Sequence, residues 1–422
     1  MMPPEDLSHP PYASLRSVLA MRDFRYFLGG RLAGMLATQI MSVAVGWHIY
    51  ELTNSALALG YVGLAQFLPM VLLILPAGDV ADRFDRRIII ALSYLVQAGV
   101  AASFLLLVWF GVEELMPYYA ALFLFGVGRA FAGPALRSFV PLLVTVEQLP
   151  RAIALSSSTF QAAVIIGPML GGLLYIVSAV LVYSICCALF LAVALAALMI
   201  RVKHVPPLIE GALKGFARLT AGIAYIRTTP IVLGAISLDL FAVLLGGATA
   251  LLPIYAKDIL HTDADGLGLL RSAPAIGAMA INLLLIALPP ARYTGLLMFA
   301  CVAIFGVATI AFGLSENMIL SLAALAIMGG SDMVSVYVRS TLIPLATPPD
   351  MLGRVSAVDL LFISASNELG EFRAGTMAAW LGAVPAVVLG GVGTLGCVAL
   401  WMWMFPPLRK VDRLTDVKPV PI

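Results

Sequence analysis

The sequence predicts an all-α membrane protein with twelve spanning helices in two bundles of six, and three observations carry that prediction. Hydrophobic residues fill 61% of the 422 positions and charged residues only 11%, whereas a water-soluble domain carries about a quarter charged residues. The apolar positions gather into runs of about twenty, the length that crosses a hydrocarbon core roughly 30 Å thick. The longest polar stretch inside the chain, residues 201–230, follows the sixth run and splits the chain in two. A formal net charge of +2 has no single-sign excess of the kind that draws nucleic acid. The expected surroundings are lipid.

The twelve runs are 26–50, 56–77, 88–110, 118–142, 153–175, 179–200, 231–255, 266–288, 295–314, 318–342, 355–379 and 385–405. They give a tail over 1–25, a first bundle over 26–200, a linker over 201–230, a second bundle over 231–405 and a tail over 406–422. The first tail holds Pro3, Pro4, Pro10 and Pro11 with Glu5 and Asp6. It lacks the basic-then-apolar layout of a cleaved signal, and 15–26 reads as an interfacial stretch. In the linker, Leu213, Phe216, Ala217, Leu219 and Ile223 surround Lys214 and Arg218 at helical spacing, which predicts an amphipathic helix over 210–227 on the membrane surface. Cys186, Cys187, Cys301 and Cys397 all fall in apolar runs, a pattern of packing residues rather than of disulfides.

Lysine and arginine fix the orientation, because they collect in short loops on the cytoplasmic side. With both termini inside, about nineteen of the 25 basic residues are cytoplasmic and only Lys257 lies outside. The reverse orientation inverts that bias.

The sharpest local feature joins runs two and three. Residues 78–87 hold Gly78, the acids Asp79, Asp82 and Asp85, and the arginines Arg83, Arg86 and Arg87. Gly78 predicts a close approach of two helices, and Asp82 lies one helical turn beyond it on the same side. The pattern Gly-x-x-x-Asp-Arg-x-x-Arg-Arg resembles the loop 2–3 signature of the major facilitator superfamily, with Asp85 where that family usually has glycine. Residues 128–135 and the run Gly167, Pro168, Gly171, Gly172 resemble the glycine and proline motif that antiporters of this superfamily carry in span five, with Ala163 replacing its first glycine. Residues 331–339, 347–355 and 364–371 resemble the enterobactin-exporter branch, whose members export siderophores, macrolides and other drugs and which tolerates an acid at the Asp85 position.

Within a bilayer a charge is costly and normally faces a cavity or a partner, which leaves a short set of candidates. Arg31 is in span 1, Arg129 in 4, Asp239 in 7, Asp332 and Arg339 in 10, and Glu368, Glu371 and Arg373 in 11. Spans 1, 4, 7 and 10 line the central cavity in the superfamily, so the resemblance implies that Arg31, Arg129, Asp239 and Asp332 stand near the transport path. Asp239 is the expected proton-coupling acid; the alternative is a fixed pair with Arg129 or Arg31 that holds the halves together. Glu368 and Glu371, three apart, share a helix face. One could take a proton while the other pairs with arginine, or both could be structural partners of Asn282 or Arg271. Gln39, Phe131, Gln161, Phe241 and Tyr337 are the expected cavity lining, suited to a large aromatic amphiphile. The resemblance further implies a cytoplasmic gate in which Asp82, with Gly78, Arg83, Arg86 and Arg87, meets the start of span 11 near Arg354, where an anion gains roughly 0.3–1 kcal/mol from the helix terminus.

The chain carries no phosphate-binding Gly-x-x-x-x-Gly-Lys-Ser/Thr motif and no catalytic constellation, so neither direct use of ATP nor an enzyme is expected. His48 beside Trp47, Tyr50 and Glu51 is a single histidine at a span end, weak grounds for a metal. The expected protein is a monomeric secondary transporter of the bacterial inner membrane without cofactors. It exports a siderophore or drug-like solute by proton antiport and alternating access. The open alternatives are the same fold carrying a metal ion, as ferroportin-like members do, or a lipid, and a non-transporting membrane receptor.

Overall fold

The computed structural model describes residues 15–137, 139–145, 147–202, 215–290 and 292–417, and the regular structure among them is helical. Twelve long helices follow the apolar runs. Spans 1 to 6 are Arg22–Thr53, Ala56–Arg83, Arg86–Trp109, Leu115–Arg137, Leu149–Val177 and Ala179–Met199. Span 7 is Pro230–Gly246, continued through a 3₁₀ turn and a π-helical turn at Tyr255–Ile259. Spans 8 to 12 are Ala264–Ala287, Thr294–Gly313, Met318–Ala346, Pro349–Leu381 and Ala383–Met404. Composition alone marks eleven of the described helices as long and apolar enough to cross a membrane. Span 11 is missing from that set because Arg354, Asp359, Glu368, Glu371 and Arg373 interrupt it.

The helix starts follow local chemistry. The side chains of Ser55, Ser178 and Asn317 accept backbone N–H groups at the first turns of spans 2, 6 and 10, the role that suits short polar residues there. Asp85 does the same for span 3, accepting from the Arg87 N–H at 3.0 Å. In span 9 the cap comes from far along the chain: Asp412 Oδ1 accepts from the Tyr293 N–H at 2.9 Å, and its carbonyl accepts from the Thr294 N–H.

Two groups of spans pack internally, 1 with 5 and 6 and 3 with 4 and 6 in the first half, 7 with 11 and 12 and 9 with 10 and 12 in the second. The halves meet along two seams, span 5 on span 8 and span 2 on span 11. Both seams rest on missing side chains: a Cβ at Gly172 would stand 2.1 Å from the Ala264 carbonyl, and one at Gly375 2.7 Å from Gly60 Cα. Small residues let backbones approach in lipid, where packing and not water exclusion drives association.

These contacts lie toward the face opposite the chain termini, here the distal face. There the Lys257 ammonium donates to Asn54 at 3.0 Å, and Tyr50 donates to Asp258 in a short hydrogen bond. One apolar core runs across both halves at this end, from Met41, Ile49 and Tyr183 to Leu252, Leu267, Phe312 and Val387. Toward the terminal face the second half keeps a separate core around Val232, Ile343 and Val355. The expected close approach at Gly78 is absent among the described residues, since nothing there lies within 4 Å of a Cβ built on it.

The linker helix is Gly215–Thr228, while 203–214, where its predicted beginning falls, lie outside the described residues, as do 1–14 of the first tail. It does not simply rest on a membrane surface. Tyr225 and Ile226 are buried against Ile343, Met351 and Val358, and a Cβ at Gly222 would come within 2.7 Å of the Arg354 carbonyl.

Candidate functional site

Between the halves, below the distal seal, lies a cavity of about 190 Å³. Its polar lining comes from Thr38, Gln39 and Ser42 of span 1, Gln66 of span 2, Arg129 of span 4, Arg271 of span 8 and Glu368 and Glu371 of span 11. Thr38 and Ser42 are four apart, and Glu368 and Glu371 three, so each pair shares a helix face. Arg129 meets Glu368 at 3.5 Å, an ion pair that joins the halves, and donates to Gln66 Oε1 at 3.2 Å. Arg271 donates to the Ser42 hydroxyl in a short hydrogen bond. Two arginines and two glutamates line it, so its formal charges cancel.

A second charged cluster is enclosed within the second half. Arg339 of span 10 holds Asp239 of span 7 at 2.7 Å and Asp359 of span 11 at 3.3 Å, and the side chains of Arg339 and Asp239 are each 6% exposed. Asp332 and Asp239 line a void of about 10 Å³ together with Ser335, whose buried hydroxyl has no hydrogen-bond partner among the described residues. Two carboxylates therefore hold one guanidinium, and a third, that of Asp332, shares the small void beside Asp239.

The predicted residues divide accordingly. Arg129, Gln39, Glu368 and Glu371 line the cavity. Asp239 and Asp332 do not, and the partner of Asp239 is Arg339 of its own half, not Arg129 or Arg31. Arg31 is also absent from the cavity: it lines a small pocket inside the first half with Tyr26, Ile90 and Val193. Phe131 packs on the core that includes the first half, and Tyr337 on that of the second. Phe241 turns outward, 38% exposed, its ring 5.1 Å from that of Trp401. Gln161 donates to the Ala275 carbonyl at 3.4 Å, tying span 5 to span 8.

Residues of the charged loop split too. Arg87 grips Asp85 at 2.6 Å and donates to the Ile200 carbonyl at 2.6 Å, fastening the start of span 3 to the end of span 6 within one half. Arg86 is buried and Arg83 exposed; the Asp82 side chain lies outside the described residues. Arg354 contacts Met351 of its own helix at 3.0 Å. His48 hydrogen-bonds to Tyr175 and Tyr118, and Tyr175 to Glu51. Among the described residues no group of three metal-ligating side chains forms.

Arg271 was read from sequence only as a partner for the glutamates. Its signal was a lone arginine in an apolar run, without an acid three or four residues away to neutralise it.

Twelve helices in two halves, sealed at one face around a charged cavity, define a major facilitator transporter, a membrane carrier and not an enzyme. The chain belongs to the transmembrane secretion effector family, whose model matches residues 13–419. It is 26% identical over 399 residues to Macrolide efflux protein A of Streptococcus pyogenes, covering 91% of this chain and 96% of that protein. It is also 26% identical over 409 residues to Enterobactin exporter EntS of Citrobacter koseri, covering 94% of each. Among solved structures, a bacterial homolog of the human lysosomal transporter Spinster, inward-facing and unoccupied, matches with a TM-score of 0.71 at 15% identity, covering 94% of this chain and 97% of that one. A peptide transporter POT in complex with sulfate matches with a TM-score of 0.71 at 11% identity, covering 95% and 100%. These likenesses establish the fold.

Proposed function

We infer that this transporter exports a bulky organic solute in exchange for protons, with the cavity between the halves as the solute site and the Asp239 cluster as the proton site. The observation that carries the reading is the contrast in charge: the cavity is balanced, while the dry cluster holds three carboxylates to one arginine. Buried uncompensated charge is costly, and a bound proton relieves it.

Span 11 links the two sites. It brings Asp359 to Arg339 and Glu368 to Arg129, so a proton that loosens the hold of Arg339 on Asp359 frees the same helix that carries the inter-half ion pair. The basic loops support a cytoplasmic terminal face, which makes the described conformation inward-facing. On the opposite stroke the terminal ends close and bring Gly78, Asp82 and Arg83 toward the start of span 11 near Arg354. Export of organic solutes by relatives at 26% identity supports the direction.

The test is reconstitution in liposomes loaded with a pH-sensitive dye. Asp239→Asn is expected to stay folded and to abolish proton movement coupled to solute flux. Coupling equal to the parent protein removes Asp239 from the mechanism.

A further inference from the structure

Of the charges that line the cavity, Arg271 is left over. Arg129 has Glu368 at 3.5 Å. Arg271 has the Ser42 hydroxyl on Nη1 and feels the Glu371 carboxylate only from beyond ion-pair distance, while its Nε is shut off from water and has no hydrogen-bond partner among the described residues. Among the described residues no carboxylate lies within the 4.0 Å of an ion pair with it. Its guanidinium lies beside Gly46, whose missing side chain leaves room: a Cβ there would stand 3.5 Å from Nη2.

The cavity also holds Glu371, and the two charges are not equivalent. A carboxylate can shed its charge by taking a proton, and an arginine in a protein cannot. Glu371 is also wedged into the seam of spans 2 and 11, its Oε2 only 3.0 Å from where a Cβ on Gly63 would be. The permanent unpaired charge open to a solute is therefore positive. Gln39 and Gln66 on the same wall can donate further hydrogen bonds to an acceptor-rich group.

We propose that Arg271 anchors an anionic group, a carboxylate or phenolate, of the transported solute, so that the preferred cargo is an organic acid and not an organic amine. The inference rests on reading the cavity as the solute site. A guanidinium fork binds such groups through two parallel N–H donors.

Two xanthene dyes of similar frame and opposite charge, fluorescein and rhodamine 6G, test it by fluorescence anisotropy on the purified full chain. The parent protein is expected to bind fluorescein more tightly, and Arg271→Gln to weaken fluorescein by about ten-fold or more while leaving rhodamine 6G unchanged. Arg271→Lys keeps the charge and loses the fork, so it retains part of the affinity. Should Arg271→Gln not fold, Ser42→Ala carries the test, since it frees Nη1 for the solute and is expected to tighten fluorescein alone. Preference for rhodamine 6G, unchanged fluorescein binding in Arg271→Gln, or no tightening in Ser42→Ala overturns the proposal. Binding of neither dye by the parent overturns it together with the role of the cavity. Normal binding with no dye transport strikes the exporter reading and leaves Arg271 as the anchor.

Discussion

Arg129 and Arg339 are both arginines held by acids of span 11, yet one joins the halves across a wet cavity and the other ties three spans of a single half together. The Arg129 side chain is 37% exposed and that of Arg339 6%. In the first setting water screens the pair, and its net contribution is about 0–1 kcal/mol. In the second, removing one partner strands charge in a low-dielectric interior, at a cost of roughly 3–5 kcal/mol. In the proposed cycle a weak pair suits a contact that parts as the halves move, and the tighter Arg339–Asp239 pair suits a hold that persists while Asp359 is released.

The comparison can be broken most forcefully at Arg339. Arg339→Gln is expected to lower stability by roughly 3–5 kcal/mol, read as a drop in Tm in detergent, with partial recovery in Arg339→Gln/Asp239→Asn. A single variant that melts like the parent shows that the cluster is not a buried charge network. Next comes the seam. Gly172→Ala places a Cβ 2.1 Å from the Ala264 carbonyl and is expected to cost the distal-closed state about 1–3 kcal/mol. Cysteine accessibility at Asn54 should rise while Tm changes little; unaltered accessibility shows that span 5 yields without parting from span 8. Arg129→Gln should shift Tm by less than about 1 kcal/mol equivalent but also raise that accessibility, and a Tm loss as large as that of Arg339→Gln erases the distinction.

The smallest effect lies outside both clusters, at the tail. Asp412 is held below the ordinary carboxylate range, first by the Tyr293 N–H and then by Arg292. A depressed carboxylate contributes stability that is complete above its unfolded value, about 3.9, and disappears as pH falls through the lower folded value. Hydrogen exchange at Tyr293 should accelerate below that range and lose this acid dependence in Asp412→Ala.

Helix number was legible because bilayer thickness sets a run length that the sequence repeats twelve times. Even span 11, too polar for composition to single out, was visible between its neighbours. The site was half legible. A charge in an apolar run announces that it needs a partner, which found Arg129, Glu368 and Glu371, but not who that partner is. Asp239 and Arg339 are distant in sequence, and only packing of span 7 on span 10 brings them to 2.7 Å. Arg31 was carried to the cavity by the span it occupies, whereas its side chain faces the interior of its own half. Phe241 is on an apolar helix whose faces look alike in sequence, so nothing marked the side that meets Trp401. The Asp85 departure had a local reason that only coordinates supply: the acid caps span 3 and holds Arg87.

The seating of Gly222 against the Arg354 carbonyl and Val358 means that the helix Gly215–Thr228 is structurally a piece of the second half. Co-expressed fragments should therefore reassemble a working carrier when the chain is cut ahead of residue 215. A cut after Thr228 leaves that helix on the wrong fragment, and span 11 loses its brace.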